Sequence, residues 1–221
     1  MSNEANILVG GGQYVDKSES AGASRFCLSI YPLGNEPLRL VSLTFLPHGV
    51  ARDPLDLNRI VTCEKIGPGA AVIDLSRGEC THTIDGPEAR LFYGHCEFSR
   101  DGAVLYTTET YKDSHDGAII IRDARSFEII GEFPSFGSAP HECQIIDDGK
   151  TMVITNGGGP SSGAAPNVAY IDIESRRLIR KEELTNRALN TGHFVIAGDG
   201  SLVVVSAPRT GLASTRPGGV S

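Results

Sequence analysis

Tyr93-Gly94-His95-Cys96-Glu97-Phe98 is one of four stretches in which a histidine stands at the start of a short apolar run. The other three are Leu46-Pro47-His48-Gly49-Val50, Ala139-Pro140-His141-Glu142-Cys143 and Thr191-Gly192-His193-Phe194-Val195. The four histidines follow one another at intervals of 47, 46 and 52 residues. A period in this range is typical of a β-propeller, in which each repeat is one four-stranded blade that buries its faces only against its neighbours.

The same order of strands and turns follows each histidine. After His95 come an Asp101-Gly102 turn, a β-rich run at 103–109, a second run at 118–122 and a third at 127–133. Strands separated by Asp-Gly and Gly-rich turns are typical of antiparallel hairpins. We therefore predict an all-β protein, a β-propeller of four-stranded antiparallel blades.

The blade boundaries follow from this order. We predict a partial blade at 6–45, blades at 46–92, 93–138 and 139–190, a half blade at 191–208 and a tail without a strand pattern at 209–221. A ring of about seven blades needs roughly 300 residues or more. The 221 residues therefore predict an incomplete ring of about four to five blades. Because open blade edges pair readily, we expect the N-terminal part of a longer protein or an arc that pairs with another copy.

Composition excludes several partners and compartments. The net charge of −7 argues against nucleic acid, which needs a basic face, and no apolar run is long enough to span a membrane. Five cysteines without a CxxC pair predict no disulfide framework. The first six residues lack a basic and apolar segment, so we expect no export signal and a cytoplasmic protein, or a periplasmic one if a signal has been lost or trimmed.

Strand order also predicts a site. Antiparallel neighbours place the start of one strand beside the end of the next, so each histidine should share one end of its blade with the last residue of the second strand. That mouth of the central channel would gather imidazoles, carboxylates and an amide, which suit a transition metal, a general base or a small polar molecule. The candidate ligand-binding residues are His48, His95, His141, His193, Glu64, Glu109 and Asn156.

A structural interpretation stands beside this one. A histidine that begins an inner strand can simply tie one blade to the next by a hydrogen bond, and regular spacing favours that role. Strand alternation should send His141 and Glu142 to opposite faces, so that at most one faces the channel. His82, on a predicted outer strand, and His115, in a loop, are expected to be exposed. We predict that the cysteines are buried apolar residues and that the loop 157–163 is mobile.

Part of the chain resembles a known family. The segment 131–142 with the following Asp147-Asp148-Gly149, and the stretches around His48 and His95, are similar to repeats of an uncharacterised bacterial propeller family, number fifteen-thirteen among the domains of unknown function. The resemblance covers roughly residues 6 to 208. It implies a seven-bladed ring, usually exported by a twin-arginine signal and often encoded near iron-uptake and haem-peroxidase genes. It implies no activity.

Two classes of function remain open. The protein is predicted to bind a small molecule, a metal or a protein partner at one mouth of the channel. The alternative is an enzyme, by analogy with lactonase-like hydrolases or metal-dependent oxidoreductases built on propellers. No GxSxG, HExxH, CxxCH or Walker pattern favours catalysis, and the sequence identifies no cofactor.

Overall fold

The computed structural model describes residues 6–17, 23–213 and 215–221 and contains five antiparallel sheets, the blades of a β-propeller. Residues 1–5, on which the expectation about an export signal mainly rests, lie outside the described residues. The only helical element in the described part is one 3₁₀ turn at Asp147–Gly149. Since no described helix exists beyond that turn, none is long and apolar enough to cross a membrane.

The strands follow one another along the chain within each blade. Blade 1 has β1 (Ile7–Asp16), β2 (Ala23–Pro32) and β3 (Arg39–Leu43); blade 2 has β4 (Pro47–Arg52), β5 (Arg59–Glu64), β6 (Gly69–Asp74) and β7 (Glu79–Asp85); blade 3 has β8 (Arg90–Phe98), β9 (Val104–Tyr111), β10 (Asp116–Asp123) and β11 (Ile129–Ser138); blade 4 has β12 (Pro140–Ile146), β13 (Thr151–Asn156), β14 (Asn167–Asp172) and β15 (Arg177–Glu183); blade 5 has β16 (Phe194–Ile196), β17 (Leu202–Ser206) and β18 (Gly219–Val220). This meander confirms the predicted all-β propeller.

One difference from the sequence-based prediction lies at the C-terminus. The tail 209–221 was expected to lack a strand, yet Gly219–Val220 pairs with β17, with Val220 opposite Val205. Backbone bonds between Val204 and Ser221 extend this pairing. A two-residue strand shows no period in the sequence, because its position is set by the strand it pairs with.

The core consists of four apolar clusters, one between each pair of consecutive blades. Leu28 and Ile73 belong to the cluster between blades 1 and 2, Val61 and Phe92 to the next, Tyr106 and Met152 to the third, and Val153 and Phe194 to the fourth. Among the described residues no cluster joins blade 1 to blade 5. The middle strands are buried on both faces, which explains their continuous apolar runs.

A buried ion triad stabilises blade 3. Glu109, on β9, is fully buried and accepts hydrogen bonds from Arg90 on β8, at 3.0 Å, and from Arg122 on β10, at 2.7 Å. The Arg122 side chain is 2% exposed and lies over the Phe92 ring at 5.2 Å. The carboxylate therefore connects three neighbouring strands and compensates a cation that has almost no access to water.

Glu109→Ala is expected to lower the free energy of unfolding by about 3–5 kcal/mol, because it leaves the buried Arg122 without its counter-charge. Urea unfolding of the full chain measures this change. The control is Glu174→Ala, an exposed carboxylate, for which we expect a change within about 0.5 kcal/mol. Equal effects of the two substitutions would contradict the structural role of the triad.

Candidate functional site

Four histidines from blades 2 to 5 meet in one group, the His cluster: His48, His95, His141 and His193. One ring nitrogen of each lies within 4.8 Å of those of the other three. The Nε2 atom of His141 is 3.4 Å from Nε2 of His48 and 3.4 Å from Nε2 of His193. All six pairs of rings have centroids 4.7 to 5.4 Å apart. Residues separated by about one blade in sequence thus form a compact set of nitrogen donors.

A β-bulge positions the histidine in each four-stranded blade. The pairing of the two innermost strands is interrupted after Pro47, after Phe92 and after Pro140, immediately before or within three residues of the histidine. A bulge places extra residues of one strand opposite one residue of its partner and re-aims the side chain at that point. The bulged segments are 48–49 opposite Cys63, 93–95 opposite Thr108 and 141–142 opposite Thr155.

Two glycines allow the close approach of the rings. A Cβ atom on Gly94 would lie 2.7 Å from Cδ2 of His48, and the backbone there has a φ of +104°, which side chains rarely adopt. A Cβ atom on Gly49 would lie 2.4 Å from the Gly94 carbonyl oxygen and 2.7 Å from Nδ1 of His95. The Gly that precedes His95 and the Gly that follows His48 are therefore requirements of the cluster.

Threonine hydroxyls form hydrogen bonds to the backbone of the following blade at this level. The Thr108 hydroxyl lies 3.0 Å from the carbonyl of His95 in its own blade and 3.3 Å from that of His141 in the next. Thr155 donates to the carbonyl of Gly192 in blade 5, at 2.7 Å. These two hydroxyls fasten the bulged segments to the following blade.

The imidazoles themselves bond to very few groups. Among the described residues, their ring nitrogens contact only one another and Glu142, whose Oε2 is 3.3 Å from Nδ1 of His193. Glu142 also accepts a hydrogen bond from the backbone N–H of Phe194, at 2.9 Å, which fixes its carboxylate. The Nε2 atom of His95 is buried and has no hydrogen-bond partner. A buried ring nitrogen without a partner is costly in a folded protein.

The rings of His48, His95 and His141 are electrically neutral at pH 7. Burial, followed by the neighbouring imidazoles, lowers the pKa of His48 to about 4 and that of His141 to about 3. Burial and the same neighbours lower the pKa of His95 further still. Neutral imidazole is the form that coordinates metals, so no proton has to leave these rings before a cation binds.

One more titratable group lies near the cluster. Burial, together with the charge of Glu142, raises the pKa of Glu97 to about 7. Glu97 lines a pocket of about 390 Å³ together with Arg52, Arg100 and Asp148. These residues stand at the far ends of the innermost strands, so this pocket opens at the opposite mouth from the bulges.

The structure does not bring Glu64, Glu109 and Asn156 into the His cluster. Glu64 accepts a hydrogen bond from the Gly69 N–H at 3.1 Å, and Glu109 is held in the ion triad of blade 3. Asn156 is fully buried and its amide bonds to Ser135 and Asn167. The sequence correctly predicted that these three residues lie beside the bulges. Their side chains, however, point into the blades, where they accept hydrogen bonds.

The alternation rule fails at His141 and Glu142. Both side chains reach the cluster, His141 as a member and Glu142 as the partner of His193. The bulge is the reason, because it breaks the two-residue period of the strand at this point. Sequence reasoning thus underestimated Glu142.

His82 and His115 are exposed, as predicted. Four cysteines, Cys27, Cys63, Cys96 and Cys143, are buried free thiols as predicted, whereas Cys80, on the outer strand β7, is only partly buried. Burial raises the pKa of Cys143, which keeps its thiol protonated beside the cluster. Sequence reasoning missed Thr108 and Thr155; their only signal is that each directly precedes a predicted site residue, Glu109 or Asn156.

The metal-free protein is expected to lose stability as the pH falls from about 6.5 to about 4. In this window the unfolded chain binds protons at histidines that the folded protein keeps neutral, since the folded pKa values of His48, His95 and His141 are lowered. Glu97 acts in the opposite direction, because its folded pKa is raised, but one carboxyl offsets only one imidazole.

Thermal unfolding in the presence of a chelator, at half-unit steps of pH, measures this dependence. His141→Gln should flatten it, whereas the exposed His82→Gln should leave it as in the wild type. A melting temperature that stays constant between pH 7 and pH 5 would contradict the neutral state of the cluster.

Comparison with known proteins places the chain in a family without assigning a role. No curated protein matches it. Among solved structures, Kuenenia stuttgartiensis hydrazine synthase is similar, with a TM-score of 0.67 and 18% identity over 88% of this chain and 55% of that chain. This chain thus matches about half the length of that protein, and the similarity shows the fold alone.

The family model described as "Protein of unknown function (DUF1513)" matches residues 43–217, which include all four histidines and the three complete blades. The described residues form five blades, which confirms the prediction of about four to five for this length of chain, while the seven-bladed ring implied by the resemblance stays a prediction. Because the match covers most of the chain, this protein belongs to the DUF1513 family.

Proposed function

We propose that the His cluster binds one divalent transition-metal ion and that the protein is a metal-binding propeller. The observation that carries this proposal is the spacing of the ring nitrogens: Nε2 of His141 is 3.4 Å from two other Nε2 atoms, and all four rings offer a nitrogen within 4.8 Å. Two zinc–nitrogen bonds of about 2.0–2.1 Å at the tetrahedral angle hold their nitrogens roughly 3.3–3.4 Å apart.

The chemistry of the donors narrows the class of metal. All four ligands are imidazoles, which suit zinc, copper, iron and nickel, whereas magnesium and calcium prefer oxygen. Among the described residues, no cysteine belongs to the group of possible ligands. An ion bound by neutral nitrogens keeps its full positive charge in a partly buried place, which favours an anionic species beside it.

Glu142 supports the proposal as a positioning residue. A histidine that ligates a metal through Nε2 usually donates its Nδ1–H to a carboxylate or carbonyl, which fixes the tautomer and the ring orientation. His193 has this arrangement, with Nδ1 beside Glu142 and Nε2 turned to His141.

The alternative, that the histidines only connect neighbouring blades by hydrogen bonds, explains fewer of the observed contacts. Such a tie needs a hydrogen bond from the ring to another blade's backbone, and in the described part of the chain the cluster's nitrogens make none. Thr108 and Thr155 already supply these ties. A bound cation would also give the buried Nε2 of His95 the partner that it lacks.

The full chain, stripped with a chelator and reloaded separately with zinc, copper, iron and nickel, is expected to retain one ion per chain of at least one metal. His48→Ala and His141→Ala should each weaken metal binding by more than about 100-fold. Loss of a residue that only supports a ligand costs about 10–100-fold in affinity, and each of these substitutions removes a ligand itself. Elemental analysis gives the stoichiometry, and chelator competition gives the affinity.

His82→Ala is the matched control, since His82 lies exposed on β7 and should bind metal no differently from the wild type. Circular dichroism verifies that each variant is folded. Failure to retain any of the four metals, or equal affinity in His141→Ala and the wild type, would refute the proposal.

Glu142→Gln is expected to weaken metal affinity by about 10–100-fold while leaving the stoichiometry at one, because the ring of His193 loses its charged acceptor but remains a ligand. The same competition assay measures the affinity. Glu174→Gln, at an exposed carboxylate, should have no effect. An unchanged affinity in Glu142→Gln would show that His193 does not depend on this contact.

A further inference from the structure

Two neighbouring cavities open at the end of the propeller where the bulges lie. The larger has a volume of about 340 Å³ and the smaller of about 70 Å³. They share Tyr93, Ala139, Gly159 and Thr210 as lining residues, so they are adjacent. The smaller cavity is also lined by His141, which places it beside the His cluster.

The larger cavity has the properties of a small-molecule site. Its walls include Ile66, Leu91, Tyr93 and Pro160, while Lys112 and His115 supply polar groups at the rim. Ligand pockets are mostly apolar, have a few placed polar groups and begin at about 300 Å³. An aromatic ring system fits a space of this size and lining.

The smaller cavity offers much less room than its neighbour and suits a small polar group. Its volume of about 70 Å³, against about 340 Å³ for the larger cavity, is enough for a carboxylate. Besides His141, its lining includes Asn190, Thr191 and Arg209.

Each cavity has one cationic side chain in its lining, Arg209 in the smaller and Lys112 in the larger. Arg209 is 2% exposed and donates to the carbonyl oxygens of Gly158, Gly159 and Ala164, which anchors the Gly-rich loop that the sequence predicted to be mobile. In the described part of the chain, neither Arg209 nor Lys112 forms an ion pair with a carboxylate. Carbonyl dipoles solvate the guanidinium but leave its net charge, which attracts an anion.

Tyr93 stands at the junction of the two spaces. Its ring lines both cavities, and its hydroxyl has no hydrogen-bond partner among the described residues. Because a partly buried phenol normally finds a partner, the free hydroxyl is available to a bound molecule.

We propose that the two cavities form one binding site for a small aromatic carboxylate, with the ring between Ile66, Leu91 and Pro160 and the carboxylate beside His141 and Arg209. The site goes beyond the proposed metal centre and does not require it, although it places the anionic end of the ligand next to the cluster. The Tyr93 hydroxyl donates a hydrogen bond to the ligand.

The probe is 2-naphthoate, with the neutral 2-naphthamide as its isostere. The chain has no tryptophan, so naphthalene fluorescence reports binding when it is excited beyond the absorption of the six tyrosines. The chelator-treated full chain should bind one 2-naphthoate. It should bind 2-naphthamide at least about tenfold more weakly, since the amide lacks the charge that the site attracts.

Two exposed isoleucines give a matched pair of variants. Ile66, 53% exposed, lines the larger cavity, whereas Ile179, 56% exposed, lies on the outer strand β15. Ile66→Glu should weaken 2-naphthoate binding at least about tenfold, because it removes apolar contact and adds a like charge, and Ile179→Glu should change it less than about twofold. Lys112→Gln should weaken binding of the naphthoate but not of the amide.

Binding of neither probe, equal affinity for both probes, or equal effects of Ile66→Glu and Ile179→Glu would each overturn the proposal. These titrations use metal-free protein, so their result does not depend on whether the His cluster can bind a metal. If the protein retains metal but binds no naphthoate, only the carboxylate site is refuted. If it binds naphthoate but retains no metal, only the proposed metal centre is refuted.

Discussion

Each four-stranded blade carries a β-bulge at the histidine of its innermost strand, and the site depends on this irregularity. In a regular strand, His141 and Glu142 would point to opposite faces. The bulge abolishes that alternation and turns both toward the same place. The consequences extend along the second strands, where Thr108 and Thr155 bind the displaced carbonyls and connect them to the next blade.

Burial decides what such a group of side chains can do. The rings of the four imidazoles lie about 5 Å apart, and burial lowers the pKa of His48, His95 and His141, so these three are neutral and do not repel one another as cations would. The carboxylates of this region are stabilised by partners instead. Glu109 is compensated by two arginines within blade 3, and Glu142 lies at the edge of the cluster beside His193. The fold thus separates a neutral nitrogen-rich centre from the charge pairs that stabilise the blades.

The loops around this centre make its surroundings asymmetric. At the end where the bulges lie, Arg209 holds the Gly-rich loop by its carbonyls and leaves a positive, partly apolar pair of cavities that reaches His141. At the other end, Glu97 and Asp148 line a pocket together with Arg52 and Arg100. A propeller places both openings on one channel because every blade directs the same strand inward.

The all-β propeller and the four histidines can be predicted from the sequence alone, because a repeat of about 47 residues and a recurring turn chemistry are visible without coordinates. Which polar residues join the histidines depends instead on contacts between distant parts of the chain. Glu64, Glu109 and Asn156 share the end of the blade with the histidines, yet their side chains turn to partners such as Arg122 and Ser135. A bulge that adds one residue to a strand reverses the facing of the side chains after it relative to the partner strand, and no pattern in the sequence shows where such a residue is added.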